Sequence, residues 1–122
     1  METVRLWLET LMLRVRGSKQ RKYQFVIQWP GDLLSDYDLM IATEERLEAG
    51  LSKRHQVDGH DVGAGEVNVF IHTQDPRSAF EEVRRILQTL DRWNGVRIAY
   101  RDASGGKYSV LWPEGLQSFA VL

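Results

Sequence analysis

The sequence predicts an α+β domain, an antiparallel sheet covered on one face by two helices. Three observations predict it. Apolar and polar residues alternate in short stretches at 23–29, 66–72, 96–101 and 108–112, the period of a pleated strand. Two intervening stretches place apolar residues at helical spacing instead. Glycine and proline punctuate the joints, as at Pro30-Gly31 and Gly63-Ala64-Gly65.

Tyr23, Phe25, Ile27 and Trp29 alternate with Gln24, Val26 and Gln28, which reads as a strand ended by Pro30-Gly31. Ser35 or Asp36 suits the cap of a helix reaching about Leu51, with Met40, Leu47 and Leu51 on one side and Gly50 near its end. The stretch from 53 to 72 reads as two strands joined by a polar turn, the second carrying Val67, Val69 and Ile71 on one face. Phe70 on the other face marks that second strand as central, covered on both sides. Thr73 or Asp75 caps the next helix, with Pro76 in the first position, where its missing N–H costs nothing. Ala79, Phe80, Val83, Ile86, Leu87 and Leu90 form its apolar face, and Gly95 stops it. Val96, Ile98 and Tyr100 make a further strand, Ser104-Gly105-Gly106 a loop, and Tyr108, Val110 and Trp112 a last strand closed by Pro113.

The first six of these elements match the order of a split βαβ, or ferredoxin-like, sandwich (βαββαβ), with the final strand added as a hairpin. Right-handed crossovers place the first and third strands together in the centre. Residues 23–122 form this single domain. Residues 1–22 are an N-terminal extension, either an extra packed element or a basic amphipathic arm, since Val4, Trp7, Leu8, Leu11 and Val15 fit helix and strand alike. The apolar run Phe119-Ala120-Val121-Leu122 is expected to pack on the body or on a partner.

The 122 residues contain no cysteine, which excludes disulfides and thiolate metal sites. The net charge of −1 lacks the basic excess that phosphate binding favours, so nucleic acid is not the expected partner. No apolar run approaches the ~20 residues of a membrane span, and Glu2, Arg5 and Glu9 interrupt any secretory pattern. A cytoplasmic location is expected.

The residues richest in chemistry run from His55 to Glu66 and hold two of the three histidines. In an extended chain Asp58 and His60 share one face, and His55 and Asp61 the other. Asp58 with His60 is the candidate acid–base pair, because a carboxylate beside an imidazole sets its tautomer and basicity. Asp58, Gly59, His60, Asp61, Gly63 and Gly65 are the candidate ligand contacts, the glycines freeing backbone N–H groups to face an anion. The bland reading is a glycine-rich hairpin. The spacing matches no metal signature, no nucleophile stands beside the pair, and no cofactor is expected.

The aromatic residues on strands also invite an interface. Trp29, Tyr100, Tyr108 and Trp112, with Phe119, are its candidate members, against a core role for the same residues. The RNA-recognition signature is absent.

The segment Asp58-Gly59-His60-Asp61-Val62-Gly63-Ala64-Gly65-Glu66-Val67-Asn68-Val69-Phe70-Ile71, then Thr73-Gln74-Asp75-Pro76 and Phe80, is similar to a group of small uncharacterised bacterial proteins. Ala99-Tyr100-Arg101 and Tyr108-Ser109-Val110-Leu111-Trp112-Pro113 share the likeness, which covers roughly residues 23–113. The resemblance implies a ferredoxin-like fold and a role like that of toxin-immunity proteins; it carries no catalytic residue. From the charge balance, the lack of a catalytic signature, the aromatic strands and the apolar tail, the expected function is a non-enzymatic protein-binding domain, paired with another protein or with itself as a homodimer, an immunity-like role being one instance. The alternative is a small enzyme or ligand-binding domain using the His55 to Glu66 stretch.

Overall fold

The computed structural model describes residues 22–31 and 34–122. The extension expected over residues 1–22 therefore lies outside the described residues, apart from Lys22. The elements run β1 (Tyr23–Pro30), α1 (Leu34–Gly50), β2 (His55–Gly63), β3 (Glu66–Thr73), α2 (Pro76–Thr89), β4 (Arg97–Asp102) and β5 (Ser109–Trp112). All strand pairs are antiparallel, and the sheet order is β2-β3-β1-β4-β5. The first and third strands thus lie side by side, as the element order predicts. No helix among the described residues is long and apolar enough to cross a membrane.

The core follows from strand alternation. Phe25, Ile27 and Trp29 of β1 pair opposite Ile71, Val69 and Val67 of β3, and all six are buried. Ile98 of β4 joins the same face. Met40 and Leu47 of α1, with Ala79, Val83 and Leu87 of α2, complete this single apolar cluster. The Asp75 carboxylate accepts from the Ser78 N–H at 3.1 Å, so the predicted cap with Pro76 behind it holds. In α1, Ser35 and Asp36 fall inside the first turn rather than ahead of it, because the helix begins at Leu34. Residue types that cap a helix also suit its first turn, where N–H groups lack intrahelical partners.

Two departures from simple alternation matter for the site. In β2, Val57 pairs with Ile71 and Gly59 with Phe70, so Asp58 is an extra, bulged residue. In β5, Trp112 pairs with Ile98 and Val110 with Ala99, so Leu111 is extra. Each bulge turns the rest of its strand over, since side chains alternate with period two. The expectation that Tyr108, Val110 and Trp112 share a face is therefore corrected. Trp112 joins Ile98 on the helix-bearing side, against Phe80 and Trp93 with ring centroids 6.5 and 5.2 Å away. Tyr108 reaches Gln24 on the other side.

The β2–β3 connection is a two-residue turn, Ala64 (φ 54) and Gly65 (φ 79). Two consecutive positive φ values identify the type I′ geometry that matches strand twist. Glycine adopts it freely, but alanine in the left-handed region costs roughly 1–2 kcal/mol. Ala64→Asn is expected to stabilise the chain by about 0.5–1.5 kcal/mol, because asparagine tolerates that region. Urea unfolding checks this; an unchanged or lower midpoint contradicts the turn assignment.

Candidate functional site

The three histidines fall into three separate environments. His55 opposes Thr73 across β2 and β3, and α2 begins three residues later. Ser78 and Glu82 stand four residues apart on α2, hence on one face, and both reach the ring. His55 Nδ1 is 2.7 Å from Thr73 Oγ1, and Nε2 is 3.2 Å from Glu82 Oε2 and 3.3 Å from Ser78 Oγ. An ionised carboxylate only accepts. In the neutral ring, Nε2–H therefore donates to Glu82, and the Thr73 hydroxyl donates to Nδ1. The Thr73 oxygen in turn accepts the Asp75 N–H at 2.9 Å. Arg54 closes the outside, bonded to Ser78 Oγ and 3.8 Å from Asp75.

Burial holds the His55 pKa below its ordinary 6.5; Glu82 pulls the other way and Arg54 adds to the lowering. For Glu82, burial pushes upward. The Ser52 N–H at 2.8 Å, its hydroxyl at 3.0 Å and the neighbouring His55 outweigh it and leave the carboxyl below its usual 4.5. The His55 side chain is 0% exposed. A shallow groove of about 550 Å³ passes beside it, lined by Glu48, Leu51, Ser52, Lys53, Gln56 and Val57. Ser78 shares Nε2 with the carboxylate, and the hydroxyl on the opposite nitrogen, that of Thr73, belongs to a residue 0% exposed, out of reach of a substrate. The geometry is that of a tie between two strands and a helix.

Asp58 and His60 are not brought together. The bulge at Asp58 sends His60 to the helix-bearing side, opposite Val69, where its Nδ1 lies 3.1 Å from Glu44 of α1. Tyr37 meets the same ring edge-on at 6.1 Å. Asp58 instead lies 3.3 Å from His72 Nε2. Asp61 pairs opposite Asn68 on the other side and is exposed. Gly59 and Gly63 are ladder positions opposite Phe70 and Glu66; only Gly65 is in the turn, where its carbonyl accepts the Gly31 N–H at 3.0 Å. Of the ligand contacts expected together, Asp58, His60 and Asp61 are thus distributed over both faces of a paired strand, and Gly65 lies in the turn beyond it. No group of three potential metal ligands occurs among the described residues.

The sheet face away from the helices holds a buried polar cluster that sequence reasoning did not single out, beside Tyr108 and Phe119, which it did, and the apolar run 119–122 packs there on the body. Gln28, 4% exposed, places Nε2 2.7 Å from Glu66 Oε2, 3.0 Å from Asn68 Oδ1 and 3.0 Å from the Ala120 carbonyl. Its two hydrogens are shared among three acceptors. Asn68 donates to Glu66 Oε2 at 3.1 Å, and so does the Leu122 N–H at 3.4 Å. Phe119 meets the Tyr108 ring at 5.0 Å. Arg101 stacks over Tyr108 at 4.6 Å and donates to Gln24 Oε1 at 2.8 Å, which also accepts the Tyr108 hydroxyl at 3.2 Å. Burial pushes the Tyr108 hydroxyl pKa up, with Arg101 opposing. The C-terminal segment therefore lies across this face, held by its backbone and one aromatic ring. The signal for it was in the strands: Gln28 and Asn68 interrupt a face that also carries Val26 and Phe70.

The aromatic residues proposed for an interface separate likewise. Trp29 is 4% exposed and part of the core, its indole N–H donating to the Arg92 carbonyl at 3.0 Å. It offers no surface, because the odd residues of β1 all face the helices. Tyr100 is half-buried against Tyr23, and Trp112 is half-buried under Arg84. Tyr108 and Phe119 lie together on the face away from the helices.

Comparison with family models, curated proteins and solved structures finds no match for this chain.

Gln28→Ala is expected to destabilise the chain by roughly 1–3 kcal/mol, the cost of leaving buried acceptors without their donor. A loss below about 0.5 kcal/mol in urea unfolding contradicts the buried network. His55 supplies a pH dependence. Its folded pKa is depressed, so between that value and 6.5 the unfolded chain binds more protons and stability falls as pH drops. Below the folded value the slope from this group ends. Glu82 contributes only as pH falls below about its ordinary 4.5, so the His55 window stands apart. Unfolding midpoints measured from about pH 7.5 to 5 should decline in the parent chain and decline less in His55→Gln. Parallel curves refute the assignment.

Proposed function

We propose that this chain is a non-enzymatic protein-binding domain that engages an extended polypeptide on the sheet face away from the helices. One observation supports this above the others. On that face Gln28 and Glu66 address a peptide carbonyl and a peptide N–H, groups that every extended chain presents. Tyr108 adds an aromatic platform where Phe119 rests. A surface built to hold backbone groups by side chains is suited to a polypeptide rather than to a small polar metabolite.

The finer fold reading is a ferredoxin-like split βαβ sandwich extended by β5. The adjacency of β1 and β3, with β2 and β4 outside them, supports it. An immunity-like role, in which the bound polypeptide is a toxin, is the narrower form of the same proposal and rests on the sequence resemblance. A toxin encoded beside this chain's gene supports that form, and a solitary gene among metabolic genes counts against it.

The test is selection from a phage-displayed library of random peptides on immobilised full-length Phe119→Ala, in which the chain's own aromatic contact with Tyr108 is removed, repeated on the Phe119→Ala, Tyr108→Ala double variant. The proposal expects an aromatic-containing consensus that is enriched at least tenfold less on the double variant. Failure to enrich any consensus, or equal enrichment on both, overturns it.

A further inference from the structure

We infer that the chain's own segment Glu114–Leu122 occupies the seat of the partner, so that the face binds an extended segment carrying an aromatic residue only when its own segment leaves. This rests on the protein-binding reading above.

The two sides of the contact are unequal. With the segment in place, Gln28, Asn68 and Glu66 are 4%, 1% and 9% exposed, and Val26 and Ala99 are fully buried, so the segment shares in shielding a polar cluster that the strands hold together. The segment itself belongs to neither helix nor strand, and none of its residues from 114 to 122 is buried. Leu122 is 75% exposed. Its contacts with the face include Phe119 on Tyr108, Ala120 O on Gln28, and Leu122 N–H on Glu66. The last two are made by backbone and read no sequence. The aromatic contact does.

The chemistry of the ligand follows from this spacing. It is an extended segment with an aromatic residue at one position, a free carbonyl at the next, and a free N–H two residues after that. A tethered occupant acts at an effective concentration on the order of mM. A segment supplied from outside with equal contacts is held off until it approaches that concentration or makes further contacts. Phe70 and His72 are half-buried on the same face, on β3 beside Asn68, and are placed to supply them.

The probe is a fluorescein-labelled synthetic peptide with the sequence of residues 113–122, measured by fluorescence anisotropy. It is titrated into the full chain, into full-length Phe119→Ala, and into a chain ending at Leu116 whose fold is checked by circular dichroism. The inference expects at least tenfold tighter binding to Phe119→Ala than to the parent, and tighter binding still to the shortened chain. A peptide carrying the same Phe119→Ala change should lose at least tenfold on either variant. Should the shortened chain not fold, the full-length variant decides alone. Equal binding to parent and Phe119→Ala, or no saturable binding to either variant, overturns the inference. Library-selected peptides that bind the full chain while hydrogen exchange of the Leu122 N–H stays unchanged also overturn it, and leave the protein-binding reading standing.

Discussion

The middle of β1 has no side that faces water. Phe25, Val26, Ile27, Gln28 and Trp29 are buried in succession, the odd residues under the helices and the even ones on the opposite face. Burial of a strand on both faces removes water as a partner for any polar side chain it carries. Gln28 is such a side chain, and its amide must be satisfied within the protein. Glu66 and Asn68 of the neighbouring strand and the Ala120 carbonyl all accept from its NH2 group. The placement of the C-terminal segment is thus tied to the central strand's burial. Removing the cover would leave those polar groups without one of their partners.

The edges of the sheet follow a different logic. β2 and β5 are the outer strands, and each carries one extra residue, Asp58 and Leu111. Bulges at edges interrupt the row of groups that would otherwise pair with a neighbouring chain. Here they also direct side chains. The bulge in β5 delivers Trp112 to Phe80, Trp93 and Arg84, while leaving Tyr108 on the far face to receive Phe119. The bulge in β2 delivers His60 to Glu44 and leaves Asp58 to His72. Polar side chains that look like one constellation in sequence become two separate histidine–carboxylate contacts on opposite faces.

His55 belongs to the scaffold. Its ring joins β2, β3 and α2 through Thr73 and Glu82, and both nitrogens are engaged. A buried neutral imidazole held in this way fixes the junction where the second helix departs from the sheet. The face away from the helices then differs from this corner in kind. There the polar groups meet the backbone of residues 120 and 122.

What the sequence determined by itself was local. Alternation located β1, β3 and β4, the Asp75-Pro76 pair set the start of α2, and glycine after Ala64 marked a tight hairpin. These are short-range effects of sterics and backbone hydrogen bonding, so the residues themselves express them. Which residues face each other was settled only in the folded sheet. A bulge belongs to two paired strands rather than to one, and a single extra residue inverts every position beyond it. Alternation read along β2 therefore joined Asp58 to His60, where pairing with β3 divides them. The partner of Gln28 lies 92 residues away at Ala120, and no local pattern carries a contact of that separation.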